Sequence, residues 1–185
     1  MHLPTEPGLR TVLASWEQPF EMLRACHQRV QRMLALLGKL QAHVVTHGVD
    51  EQATQAAQVA QDVMRYFDQA APLHHQDEEL HVFPAAHRSG DPDAIAAVKR
   101  LGVEHQTMEA EWRRLRLELQ ALLADKSPAP LPPAWQTDQL VRDFCARYTE
   151  HMRIEEHIVY PCVEVGLTPQ DAEHMGREMG ARRGC

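Results

Sequence analysis

From Pro19 to about His47 the apolar residues Phe20, Leu23, Val30, Met33, Leu34, Leu37 and Leu40 return at steps of three and four. That is the period of one helical face, and it predicts a long amphipathic helix stopped by Gly48. The alanine-rich run DEQATQAAQVAQDVMRYFDQ predicts a second helix as far as Pro72. There the proline ring and its missing N–H should break or kink the rod before a helix restarts through HHQDEELHVFP. SGDPD ends that segment and caps a third helix, expected from about Asp93 to Ala124 through Ile95, Val98, Leu101, Met108, Trp112, Leu115 and Leu119. The prolines of DKSPAPLPP mark a loop, and a fourth helix is expected from about Ala134 to Tyr160. TPQDAEHMGREMGARR predicts a short terminal helix with Thr168 as its cap and Pro169 in its first turn. No alternating β-branched run competes with this pattern.

Long helices joined by short connections pack most simply as an all-α, up-and-down four-helix bundle, here with a short C-terminal helix. The expected division is an N-terminal extension over 1–18, the bundle over 19–166, and the short C-terminal helix and tail over 167–185. A chain of 185 residues suits one domain with one sizeable core.

Composition narrows the function classes. The chain is 44% hydrophobic and 24% charged, the balance of a folded globular protein. Its formal charge is −7 and its one short basic run is the terminal GARRG, which argues against a nucleic-acid partner. No stretch reaches the ~18 apolar residues of a membrane span, and MHLPTEPGLR lacks the layout of a signal peptide. The cysteines Cys26, Cys145, Cys162 and Cys185 form no CxxC pair, which suits a reducing compartment, so a cytoplasmic address is expected. Histidine is the excess to explain: 12 residues against 4 phenylalanines and 3 tyrosines.

The histidines fall into a repeat. HHQDEELHVFP begins at His74 and HMRIEEHIVYP begins at His151, and both follow the skeleton H-x-x-x-E-E-x-x-V-[FY]-P. Upstream, His27 precedes His74 by 47 residues and His105 precedes His151 by 46. The chain reads as two copies of a helical hairpin. Positions i and i+4 share a helix face, so His74 with Glu78, and His151 with Glu155, can point at one spot. Related by a pseudo-two-fold axis, the hairpins would bring His27, His74, Glu78, His105, His151 and Glu155 together inside the bundle. Left unpaired there, ionisable groups would cost several kcal/mol each. Imidazole with carboxylate suits iron, manganese or zinc, and bundles build metal centres from facing helices in this way. Two ions bridged by both glutamates keep positions open for an external ligand, whereas six donors would saturate one ion.

These paired motifs resemble the hemerythrin-like, or HHE cation-binding, family from about Pro19 to Gly166, and the terminal MGARRG resembles tails of its bacterial members. The resemblance implies a bundle around two iron ions, oxo- or hydroxo-bridged, with manganese or zinc as alternatives. It implies His27, His74, Glu78, His105, His151 and Glu155 as ligands, with Glu78 and Glu155 bridging. The implied partner is a small diatomic or peroxide ligand (oxygen, peroxide or nitric oxide) met in sensing or detoxification, with no nucleic acid and no membrane, in a monomer or homodimer. A metal-dependent regulatory or iron-storage module without turnover is the alternative. Oxygen-carrying members place a histidine four residues after the third-helix one; here that position is Glu109, which argues against reversible oxygen carriage. A ferritin-like carboxylate centre would need Glu-x-x-His on two helices, and only Glu78 with His81 fits.

The neighbours of the six are further candidates. His75 is a possible ligand beside His74, and Glu109 a ligand or a partner of one. His81 returns to the ligand face one turn past Glu78 and is a candidate for lining the entrance, an ordinary histidine being the favoured reading. Glu79 and Glu156 are expected just outside, fixing histidine tautomers by hydrogen bonds. Phe83 and Tyr160, mates in the repeat, are expected to be packing residues, and His174 a surface residue.

Overall fold

The computed structural model describes residues 16–47, 53–124 and 139–185. Most of the expected N-terminal extension, the proline-rich loop and the expected start at Ala134 lie outside these residues. Four rods form the body. α1 is Pro19–His47 and α3 is Pro92–Ala124. α2 runs without interruption through Ala53–Arg65, Tyr66–Ala70, Ala71–Asp77, Glu78–Val82 and Phe83–Ser89. α4 does so through Gln139–Ile154, Glu155–Val159 and Tyr160–Gly166. α5, Pro169–Ala181, follows. The fold is all-α, as the periodicity predicts.

Pro72 does not break α2. Tyr66–Ala70, Glu78–Val82 and Glu155–Val159 are π-helical turns, and each ends two residues before a proline: Pro72, Pro84 and Pro161. Proline offers no N–H to the carbonyl four residues back, and its ring presses on that carbonyl. A wider turn relieves the clash. The amides of Ala71, Phe83 and Tyr160 instead reach carbonyls five residues back, on Tyr66, Glu78 and Glu155. The rods therefore stay continuous, and two of the three wide turns begin on the glutamates of the repeat.

Ordinary signals set the remaining ends. Gly90 adopts φ 74°, a left-handed stop for α2. Asp91 then caps α3, its Oδ1 accepting from the amides of Asp93 and Ala94, both at 2.9 Å. Thr168 caps α5 by accepting from the amide of Asp171 at 3.1 Å.

α1 packs on α2, α2 on α3, α3 on α4 and α4 on α1, which closes the ring. One apolar cluster joins Phe20 and Leu23 of α1, Val82 and Ala86 of α2, Ala94 and Leu101 of α3, and Val159 and Val163 of α4. These are N-, C-, N- and C-terminal parts in turn, so neighbouring rods are antiparallel. A second cluster, centred on Phe67, Trp112, Phe144 and Tyr148, fills the other end. Between the two lies a buried polar layer of His27, His74, Asp77, Glu78, His105, His151 and Glu155.

α5 closes the bundle end nearest Phe20, where Met175 and Met179 join the core. Trp16 sits on Gly176 and Gly180. A Cβ on Gly176 would collide with the Trp16 carbonyl, and one on Gly180 would touch the indole at 3.4 Å. Arg182 and Arg183 turn inward onto the buried carboxylate of Asp77, each at 2.7 Å.

Candidate metal centre

Each rod contributes from its interior: His27 from α1, His74 and Glu78 from α2, His105 from α3, His151 and Glu155 from α4. Within α2 and α4 the four-residue step lies in regular helix as far as the glutamate, where the wide turn begins. All six side chains are almost fully buried.

The two carboxylates stand between two pairs of imidazoles. Glu78 turns Oε1 toward His74 Nε2 at 3.4 Å and His27 Nε2 at 3.8 Å, and Oε2 toward His105 Nε2 at 3.5 Å. Glu155 turns Oε2 toward His27 Nε2 at 3.2 Å, and Oε1 toward His151 Nε2 at 2.9 Å and His105 Nε2 at 4.0 Å. Two overlapping donor clusters result, His27, His74, Glu78 and Glu155, then Glu78, His105, His151 and Glu155, with donor atoms within 4.8 Å of one another in each. Glu78 Oε2 and both oxygens of Glu155 are buried without a hydrogen-bond partner. Buried carboxylate oxygens are rarely left so unless a cation completes them. Two imidazole nitrogens and two carboxylate oxygens per cluster match the donor preference of iron, manganese or zinc.

The outer nitrogens carry a second ring of contacts. His27 Nδ1 meets Glu156 at 2.7 Å, His105 Nδ1 meets Glu79 at 2.8 Å and His151 Nδ1 meets Glu104 at 3.0 Å. A proton held on Nδ1 leaves the Nε2 lone pair facing inward, the form a metal needs. Glu79 and Glu156 thus stand where tautomer-fixing partners are expected, each reaching across to the histidine of the other hairpin. His74 Nδ1 has no partner.

A family model described as Hemerythrin HHE cation binding domain matches residues 18–163. The chain belongs to that family. It is also 32% identical over 175 residues, covering 92% of each chain, to a Haemophilus influenzae protein described as "Uncharacterized protein". This hemerythrin-like chain thus belongs to a cation-binding family, and its His/Glu layer contains two donor clusters able to hold metal.

Several neighbours differ from expectation. His81 does not line the entrance: the turn beginning at Glu78 advances less per residue than an α-helix and swings it outward. It meets Arg182 at 2.8 Å and Glu178 at 3.2 Å. Glu109 lies on the surface, ion-paired with Arg113 at 2.8 Å, while its neighbour Met108 takes the buried position one turn on from His105. His75 belongs to neither donor cluster; its ring lies flat on His105 with centroids 4.0 Å apart. Tyr160 is more than a packing residue. Its hydroxyl donates to Glu78 Oε1 at 2.5 Å and lies 3.1 Å from His27 Nε2. In an α-helix five steps from Glu155 would turn Tyr160 away by about 140°; the extra residue of the π turn makes that about 40° and brings the phenol onto the ligand face. Glu104, the residue before His105, carried no separate signal in the repeat.

The electrostatics explain what a metal would displace. Burial opposes charge on His27, yet Glu155, Glu156 and Glu78 outweigh it and push its pKa up to about 11. Burial likewise opposes charge on His105, which Glu78, Glu155 and Glu79 raise to about 9, and on His151, which Glu155 raises. His74 goes the other way, down to about 4, through burial and the neighbouring cations His27 and His105 against Glu78. Burial disfavours the Glu78 carboxylate, but His74, His105 and His27 hold it well below the usual range. Without metal, the raised proton affinity of His27, His105 and His151 offsets the negative charge gathered around them.

Proposed function

We propose that the chain is a non-haem di-iron protein that binds or reacts with oxygen, peroxide or nitric oxide, in sensing or detoxification. One observation carries this: each of Glu78 and Glu155 presents one oxygen to each histidine pair. A single ion would not need that arrangement. Two ions held by two nitrogens and two oxygens apiece keep positions free for a small ligand, and iron there would supply redox chemistry.

The protein's own part is to position, dry and proton-balance the layer. Glu79, Glu104 and Glu156 orient three of the imidazoles, Tyr160 steadies Glu78, and apolar clusters on both sides keep out bulk water. Metal binding must release the protons that the raised pKa values of His27, His105 and His151 retain, so affinity should rise with pH. Reversible oxygen carriage is disfavoured because no third histidine stands at Glu109.

Metal analysis and an optical spectrum of protein expressed with ample iron test the proposal. A pair of irons per chain, with near-ultraviolet absorption that bleaches on reduction, is expected; colourless protein holding one zinc would overturn it. A metal-dependent regulatory module is the second reading, favoured by the grip of Arg182 and Arg183 on Asp77, the residue before Glu78. Through that grip the metal state could reach α5 and a partner. A partner captured only by metal-loaded protein would support it.

A further inference from the structure

Among the buried polar atoms that the metal centre leaves unused is one on His75. His75 Nε2 is buried with no hydrogen-bond partner, although the ring stacks on His105 and lies 5.9 Å from the ring of Tyr148. A buried imidazole nitrogen without a partner calls for an explanation. Against this ring opens a cavity of about 320 Å³, walled by Phe67, Met108, Trp112 and Tyr148, with His75 and His105 also lining it. Glu79 and Glu109, both largely exposed, stand at its outer edge. A water occupies about 30 Å³ in the liquid, so the space far exceeds what a diatomic molecule or hydrogen peroxide fills. An apolar wall with a few polar groups, here His75 together with Gln76 and Gln106, is the usual build of a small-molecule site. In the other hairpin the position of His75 is Met152, so this imidazole belongs to this side alone.

We propose that this cavity binds a small amphipathic molecule, a hydroxyl or hydroperoxyl group on an apolar body of about the size of a substituted phenyl ring. The body lies against Phe67, Met108, Trp112 and Tyr148, and the head hydrogen-bonds to His75 Nε2. Choosing an organic hydroperoxide as the reactive occupant rests on the di-iron reading; binding of the alcohol does not.

The test titrates 2-phenylpropan-2-ol into the full-length protein as purified, followed by calorimetry, with metal content measured on the same sample. Saturable binding is expected. His75→Phe keeps the stacking but removes the nitrogen and should weaken binding about tenfold, the effect of one hydrogen bond. Glu109→Trp, an exposed change at the rim that leaves the core alone, should obstruct entry and weaken it further. No saturable binding, or equal affinity in wild type and His75→Phe, overturns the proposal whatever the metal content. His75-dependent binding in protein that was expressed with ample iron yet holds none overturns the di-iron reading and supports the cavity. In iron-loaded protein supplied with ascorbate as the two-electron donor, cumene hydroperoxide should be reduced to 2-phenylpropan-2-ol and water faster than hydrogen peroxide is reduced to water, and His75→Phe should reduce that preference about tenfold. An unchanged preference would overturn the hydroperoxide assignment.

Discussion

His74 and His151 hold the same place in the two motifs, yet His151 Nδ1 meets Glu104 at 3.0 Å while His74 Nδ1 is buried without a partner. The same inequality recurs around them. Cys26 stands before His27 where Glu104 stands before His105; Phe83 answers Tyr160, Asp77 answers Ile154, and His75 answers Met152. The repeat conserves what both metal positions need, a histidine pair and a bridging carboxylate. What differs would decide how tightly each ion of the proposed pair is held and what approaches it. The pair His105 and His151 has a carboxylate behind both rings and a cavity beside it. The pair His27 and His74 has a carboxylate behind one ring only and a phenol hydroxyl among its donors.

The shared carboxylates give the most severe test of that division. Glu78→Ala or Glu155→Ala should empty both positions, since each carboxylate serves both pairs. His105→Ala should empty one and leave the other. Elemental analysis of the purified variants distinguishes the cases: retention of a full equivalent of metal by Glu155→Ala would mean that the carboxylates are not shared.

Removing the metal should make the two halves unequal in pH. His27 and His105 have folded pKa values of about 11 and about 9, raised from the ordinary 6.5. A raised value adds stability that is complete below the unfolded pKa and is lost as pH climbs through the folded one. Metal-free protein should therefore lose melting temperature between about pH 7 and 11, with His105 deprotonating first, while metal-loaded protein changes little over the same range. His74, depressed to about 4, contributes the opposite sign: below about pH 6.5 it favours the unfolded chain, which takes up the proton more readily. A flat melting profile for metal-free protein above neutrality would show that the imidazoles do not hold those protons.

Asp77 and Ile154 offer a comparison away from the donor atoms. Asp77 is buried beneath Arg182 and Arg183, whereas Ile154 packs in the apolar cluster. Asp77→Ala strands two guanidinium groups and should cost about 3–5 kcal/mol; Ile154→Ala should cost about 2–5 kcal/mol as a cavity. Urea unfolding measures both. Only Asp77→Ala should also loosen α5, seen as faster amide exchange in residues 169–181.

The sequence spoke clearly where regular helix carries the information. The step from His74 to Glu78, its copy at His151, and the lone His27 and His105 are all spaced within α-helix, and the structure brings these six side chains together. It spoke less clearly past each glutamate, where the turn widens. Counting at 100° per residue across Glu78–Val82 puts His81 on the ligand face, but it meets Arg182 instead; Tyr160, expected only to pack, has its hydroxyl on Glu78. The prolines at 72, 84 and 161 were visible, but proline reads locally as a break. Only a rod held by packing at both ends absorbs it as a π turn. The Arg183 contact with Asp77 joins residues 106 positions apart, and no local pattern announces it.

Glu104 and Cys26 let the inequality be reversed by exchange. Glu104→Ala should weaken the ion held by His105 and His151 by about 10–100-fold, the usual effect of losing the group that orients a ligating imidazole. Cys26→Glu should supply the missing carboxylate behind His74 and tighten the other position. Competition with a coloured chelator resolves the two affinities. If Cys26→Glu leaves the weaker one unchanged, the contrast at Nδ1 is not what separates the positions.

The phenol gives the smallest effect. Tyr160 stacks on His27 with centroids 5.5 Å apart, and Phe83 stacks on His105 at 5.4 Å, so the two rings occupy equivalent places and differ by one oxygen. Tyr160→Phe removes the hydrogen bond to Glu78 while keeping the ring. A bond to a carboxylate is worth about 1.5–3 kcal/mol, and the low end applies because Glu78 keeps its contacts with His74 and His105. The loss should appear as lower urea stability and weaker metal retention at the His27 and His74 pair. The double variant Tyr160→Phe with Phe83→Tyr moves the hydroxyl to the other pair. If oxygen count alone mattered, the double variant would recover wild-type behaviour. The unequal surroundings predict that it does not, because His105 has its Nδ1 fixed by Glu79 and a cavity at its face, where a new hydroxyl has a different task from steadying Glu78 beside His27.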